Sequence, residues 1–245
     1  MSIDWNIQTH EILESTQDSL MCALESGLAI EGTVIRTQHQ SQGRGRHGRC
    51  WEEGEGNLYF SFLISPHINA DKLGHISLLT GLSLQKTILS IVKGSAYSPL
   101  IKWPNDVLLD QKKCAGILIE TPSVSTSGII DHLVIGIGVN ISSAPIETSS
   151  YLNAYNKNIR ADDVLEQFLQ TFSLYYDAWR VDGFEGIRVE WINNSFKKGQ
   201  PINVKLGKTF ISGAFETIDQ FGNLVILCNE TNEKRTITSG DVFLL

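Results

Sequence analysis

Residues 43–51 read GRGRHGRCW, three glycines interleaved with Arg44, Arg46 and Arg49 and closed by Trp51. Glycine lets backbone amides approach an anion closely, and guanidinium groups pair with carboxylate or phosphate at two points. The run is neither a GxxxxGK loop followed by Ser or Thr nor a dinucleotide fingerprint opening a helix, so any phosphate chemistry needs another arrangement. A second segment, KWPNDVLLD at 102–110, carries Lys102 at a strand end, where Pro104 imposes a turn that fixes Asn105 and Asp106. A lysine there neutralises a carboxylate attacking a phosphate, although the segment alone also reads as an ordinary turn with a packed indole. KCAGILIE at 113–120 and GIGVNIS at 136–142 place Gly116, Gly138 and Asn140 in strands. Small residues there admit a ligand and an amide bonds it, yet each run equally suits a buried strand.

These segments need a scaffold, and 245 residues with 42% hydrophobic content bury a sizeable core in one large or two unequal domains. Twenty basic against twenty-seven acidic side chains give a net charge of −7, the wrong sign for a chain that mainly grips nucleic acid. Cys22, Cys50, Cys114 and Cys228 stand far apart with no partner at metal-ligand spacing, which points to reduced thiols and a cytoplasmic protein. The N-terminus lacks a signal-peptide pattern, and no apolar run approaches a membrane span, so no membrane partner is expected.

The elements that must position the motifs follow from local pattern. Ser15 caps a short amphipathic helix with Asp18 three residues on and Gly27 at its end. Residues 33–37 read as a strand, 41–56 as a long Gly/Arg loop, and 57–64 as an alternating, half-buried strand. Ile76, Leu79, Leu84, Ile88 and Ile91 mark a helix over 73–92, while 99–103, 107–110, 114–120 and 133–141 are short β runs. The stripe from Leu165 to Trp179 marks a helix over 162–180, and another covers 185–194. After Lys198 five short β runs separated by turn residues predict a small all-β barrel. The fold class is α+β, a mixed sheet backed by helices, with domains at 1–197 and 198–245.

GRGRHGRCW, KWPNDVLLD, KCAGILIE and GIGVNIS, with EST at 14–16, occur in the order and approximate spacing of the biotin protein ligases, and the chain resembles that family essentially from Glu11 to Leu245. The resemblance implies a catalytic domain similar to lipoate ligases followed by an SH3-like barrel. It implies ATP and magnesium as cofactors and biotin as substrate, activated as biotinyl-5′-AMP. Ser15, Thr16, Gln17, Gln40, Arg44, Gly45, Arg46, Lys102 and Gly116 would then bind biotin, with Lys102 and Arg46 the catalytic pair. Arg46, Arg49, Trp51, Asn105, Asp106, Lys113 and Asn140 would hold the nucleotide, Asp106 also serving as the magnesium ligand.

The implied partner is a biotin carboxyl carrier domain of the acetyl-CoA carboxylase type, met by a monomer or weak homodimer. Two departures from the family pattern are His47, where arginine is common, and Cys50 before Trp51. The chain starts at the ligase domain, which implies the form without an N-terminal DNA-binding repressor domain and no specific DNA binding. Two rivals remain: a lipoate or octanoate ligase or transferase on the same scaffold, and a non-catalytic nucleic-acid-binding module built on the Gly/Arg loop.

Overall fold

The computed structural model describes residues 3–244; Met1, Ser2 and Leu245, at the ends of the two expected domains, lie outside them. The chain opens with β1 (Asn6–Leu13), α1 (Thr16–Glu25), β2 (Thr33–Gln40) and β3 (Leu58–Ile64). It continues with β4 (Ile68–Asn69), α2 (Leu73–Ile91), β5 (Leu100–Lys102), β6 (Asp106–Leu109) and β7 (Lys112–Glu120). Then come β8 (Ile129–Ile130), β9 (Leu133–Val139), α3 (Ala161–Asp182) and α4 (Glu185–Asn193). Five strands follow: β10 (Pro201–Leu206), β11 (Thr209–Ile218), β12 (Leu224–Cys228), β13 (Lys234–Ile237) and β14 (Asp241–Leu244).

Seven strands form one mixed sheet in the order β1-β2-β3-β9-β7-β6-β5, with β1 parallel to β2 and the other pairs antiparallel. Ser15 starts the crossover helix α1 between the parallel pair, its hydroxyl accepting from the Asp18 N–H at 3.3 Å. The half-buried strand expected at 57–64 is instead buried at every position of β3. As the third of seven strands it is covered on both faces, so apolar side chains are wanted on each. Phe60 and Phe62 pack on Phe168 and Phe172 of α3, whereas Leu63 points to Leu20 of α1. β1 is an edge strand exposed from Asn6 to Ile12, and it leaves no pattern in the sequence because an element without a buried face has no apolar period.

The last five strands form a separate antiparallel sheet in the order β13-β12-β11-β10-β14, so β13 and β14 are its edges. It docks on the first turn of α2 and on α4. The Trp103 indole donates to the Gly222 carbonyl at 3.0 Å, His75 Nε2 to the Gln220 carbonyl at 2.8 Å, and Arg188 to the Ile218 carbonyl at 2.9 Å. Gly74 is required at this seam, since a Cβ there would lie 2.2 Å from the Phe221 carbonyl oxygen.

Candidate functional site

On the α1 side of the large sheet, the loop at 41–56 folds over β3, β9 and β7 and encloses a cavity of about 120 Å³. One end is a buried polar network. Gln40 Oε1 accepts from the Thr16 N–H at 2.9 Å and the Thr16 hydroxyl at 3.2 Å, and the Thr16 and Ser61 hydroxyls lie 2.9 Å apart. Ser61 donates to Gln17 Oε1 at 3.0 Å, and Gln17 Nε2 donates to the Val134 carbonyl at 3.0 Å. Thr16, Gln17, Gln40 and Ser15 are all at least nine-tenths buried, so the end presents fixed donors and acceptors rather than mobile ones.

The floor is glycine. Gly116 on β7 and Gly138 on β9 are directly paired across the sheet, and Gly136 is paired with Ser61 on β3. The Trp51 indole lies on this floor. A Cβ on Gly138 would stand 2.4 Å from Trp51 Cε2, and one on Gly116 would stand 2.7 Å from Trp51 Cζ3. Lys113 Nζ lies 5.1 Å from the centre of the indole ring, and Trp51 Nε1 is buried without a hydrogen-bond partner.

The other end is charged. Arg46 donates to Asn105 Oδ1 at 3.1 Å and to the Gly240 carbonyl at 3.4 Å, and Asp241 pairs with Arg49 and lies 3.9 Å from Arg46. Burial pulls the Arg46 pKa below its ordinary value, yet arginine keeps its charge in proteins. For Asp241, burial alone would raise the carboxyl, but Arg49 and then Arg46 outweigh it and hold it below its ordinary value. Asp106 sits between two lysines, with Oδ1 2.7 Å from Lys113 Nζ and Oδ2 3.4 Å from Lys102 Nζ.

Of the residues singled out in the sequence, Ser15, Thr16, Gln17, Gln40, Arg44, Gly45, Arg46, Arg49, Trp51, Asn105, Asp106, Lys113 and Gly116 line this one cavity. Lys102 stands behind Asp106 rather than in the lining, 5.9 Å from the Phe243 ring centre. Asn140 is also outside the lining. Its Nδ2 donates to the Ser150 carbonyl at 3.1 Å, bracing the segment after β9 behind the floor. Arg44 turns its guanidinium to Glu120, at 2.8 and 3.0 Å, and to Asp18, at 2.6 Å, and this raises its pKa, the Glu120 bond most of all.

Sequence reasoning missed Ser61, Gly136 and Asp241. Ser61 and Gly136 carried a signal, small residues within apolar strands, but Asp241 carried none because it arrives from the other sheet. Among the described residues no group of three or more His, Cys, Asp and Glu side chains is placed to hold a metal. Both oxygens of Asp106 already face ammonium groups, so the described residues offer no resident magnesium cage; a magnesium ion would be held chiefly by phosphate oxygens, with Asp106 as one protein ligand.

The chain matches the biotin/lipoate A/B protein ligase family over residues 10–140 and the biotin protein ligase C-terminal domain over 198–245. It is 30% identical to the bifunctional ligase/repressor BirA of Bacillus subtilis over 245 residues, spanning 96% of this chain and 73% of that protein. It is 31% identical to the biotin-acetyl-CoA-carboxylase ligase of Paracoccus denitrificans over 226 residues, spanning 88% of this chain and 92% of that protein. Its fold superposes on the Aquifex aeolicus biotin protein ligase in complex with biotin and ATP with a TM-score of 0.81 at 29% identity, covering 98% of each chain.

Proposed function

The chain belongs to the biotin/lipoate A/B protein ligase family, and from that premise we propose that it activates biotin with ATP as biotinyl-5′-AMP and then biotinylates a lysine of a biotin carboxyl carrier domain. The observation that carries this reading is the cavity itself, which runs from a buried amide and hydroxyl network over a glycine floor to Arg46, Arg49, Lys113 and Asp106. A cyclic urea needs fixed donors and acceptors, and a carboxylate meeting a triphosphate needs cations. The biotin-type C-terminal module favours biotin over lipoate or octanoate.

In the first step a biotin carboxylate oxygen attacks the α-phosphorus, the bond from that phosphorus to the bridging oxygen breaks, and its electron pair leaves with pyrophosphate. Lys102 and Arg46 screen the two approaching anions, and Thr16, Gln17 and Gln40 hold the ureido end so that the carboxylate is aimed. Arg49, Trp51, Asn105 and Lys113 contact the nucleotide, and Asn140 supports them from behind the floor. A magnesium ion bound with the nucleotide would be held on the protein side by Asp106 and would supply charge neutralisation there. In the second step the acceptor amine attacks the mixed-anhydride carbonyl and AMP leaves, the amine giving up one proton.

No helix among the described residues is long and apolar enough to cross a membrane, and the four cysteines are free. On the same reading the protein acts in the cytoplasm, as a monomer or weak homodimer. Pyrophosphate release is the test: with ATP it should follow biotin and not lipoate or octanoate. Release with lipoate alone would overturn the reading.

A further inference from the structure

Asn57, between the Gly/Arg loop and β3, is only 4% exposed, yet it does not line the cavity. Its Oδ1 accepts three consecutive backbone N–H groups, from Ile141 at 2.8 Å, Ser142 at 3.1 Å and Ser143 at 3.2 Å, and its Nδ2 donates to the Ser143 carbonyl at 3.1 Å. Successive N–H groups turned toward one point make a concave nest for an oxygen, and here a side-chain carbonyl fills it. On its own side Asn57 is tied to the loop exit. Its N–H donates to the Gly54 carbonyl at 3.3 Å, while the Tyr59 hydroxyl donates to the same carbonyl at 3.0 Å and accepts from the Gly54 N–H at 2.7 Å. The two segments approach so closely that a Cβ on Gly54 would stand 2.4 Å from Ser143 Oγ and 2.6 Å from Asn57 Nδ2. One side chain thus joins the loop that carries Trp51 to the segment leaving β9, where Gly138 forms the floor and Asn140 directly precedes the nest.

We propose that Asn57 is a positioning residue for the nucleotide half of the site: by filling the nest it fixes the Gly/Arg loop and the 140–143 segment to each other, and so sets how the Trp51 indole sits over the floor of β7 and β9. The inference rests on the adenylation reading, in which Trp51 and Lys113 contact the nucleotide and Asn140 supports them. Trp51 is seated on Gly138 and Gly116, so its height over them depends on where the loop leaves the sheet, and that exit lies at residues 54–57. Asn140 depends on the same anchor. Its N–H donates to the Cys114 carbonyl at 2.8 Å and its Nδ2 to the Ser150 carbonyl, while its Oδ1 is buried without a partner, an acceptor kept open beside the floor. The ureido end has its own network through Thr16, Gln17, Gln40 and Ser61. Loss of the anchor therefore falls on ATP and spares biotin.

The test compares Asn57→Ala and Asn57→Asp with the parent. The first empties the nest; the second keeps an oxygen there and gives up only the donor to Ser143, and a carboxylate suits converging N–H groups. In Asn57→Ala the KM for ATP should rise roughly tenfold, the scale of a contact displaced by part of an ångström, while the KM for biotin stays put. Asn57→Asp should hold both constants near the parental values. Gly54→Ala pushes on Asn57 Nδ2 and Ser143 Oγ without removing a hydrogen-bonding group, so it should reproduce the selective rise even where Asn57→Ala does not fold. A melting temperature that falls with both constants unchanged would make Asn57 a structural residue and overturn the proposal. So would a KM for biotin that rises as much as the KM for ATP, or an Asn57→Asp variant as impaired as Asn57→Ala. Titration of parent and Asn57→Ala with magnesium ATP needs no acyl substrate: weaker binding by the variant supports the positioning role even if the biotin assignment fails, and equal binding overturns it.

Discussion

At the scale of single residues, the site is a set of charges held short of neutrality. Asp106 draws Lys102 and Lys113 together from two strands, so the ammonium of Lys102 is placed by a carboxylate 3.4 Å away rather than by the cavity wall. Removing one preorganised cation of this kind typically costs a factor of about a hundred to a thousand in rate. Lys102→Ala should lower biotin-dependent pyrophosphate release by about that factor, and a parental rate would remove Lys102 from the chemistry. The paired glycines make a contrasting prediction. A Cβ on Gly138 would press on the Trp51 ring at 2.4 Å, whereas one on Gly116 also meets the movable tip of Lys113 at 2.8 Å. Displacing a ligand-contacting group by about an ångström can cost roughly a hundredfold. Gly138→Ala should therefore lose about that much adenylation activity and Gly116→Ala less, with circular dichroism showing both folded; the reverse order would mean that the indole does not rest on Gly138.

At the scale of the element, the Gly/Arg loop is held largely by its own backbone. Arg44 and Cys50 form an antiparallel bridge, the Gly45 N–H donates to the Arg49 carbonyl at 2.7 Å, and the Trp51 N–H donates to the Gly43 carbonyl at 2.8 Å. Its outer contacts are side-chain pairs, Arg44 with Glu120 and Asp18 and Arg49 with Asp241, and exposed pairs of this kind contribute little. The loop is thus ordered locally but lightly fastened to the body. Limited proteolysis at 44–49 should slow when biotin and ATP are both added; identical cleavage with and without them would exclude ordering by ligand. Arg46 ties the loop to Asn105 and to the Gly240 carbonyl at once. Arg46→Gly should still form biotinyl-AMP but release it, and biotin should appear on bystander proteins that the parent leaves unlabelled.

At the scale of the whole molecule, the two sheets meet at His75. Its ring stacks on Phe184 at 4.0 Å, Nε2 donates to the Gln220 carbonyl, and Nδ1 accepts from the Trp179 indole at 3.4 Å. That pattern requires the neutral ring, because a proton on Nδ1 would face the indole N–H. Burial, most of all, lowers the His75 pKa below its ordinary value near 6.5, Lys72 adding to the effect while the Gln220 bond, Asp71 and Asp219 oppose it. A depressed pKa means that the unfolded chain takes up the proton first, so the contribution is intact above about pH 6.5 and is lost as pH falls through the folded value. The melting temperature should therefore decline with acidification below that point, and His75→Gln should flatten the decline. An equally steep profile in the variant would locate the acid sensitivity elsewhere.

The four helices, most of the strands and much of the cavity lining were legible in the amino-acid order, because helix periods, turn residues and the spacing of GRGRHGRCW, KWPNDVLLD and GIGVNIS are local properties. Tertiary structure decided the rest. β1 is a strand only because β2 offers it a partner, and β3 is buried on both faces only because α1 and α3 close over it. Lys102 stands behind Asp106, and Asn140 behind the floor, because register across β5, β6, β7 and β9 sets what each side chain faces. Asp241 joins Arg46 and Arg49 only when the second sheet docks on α2, bringing together residues nearly a chain length apart. A residue's type and its near neighbours fix what it can bond; which charge it meets depends on packing between elements distant in sequence.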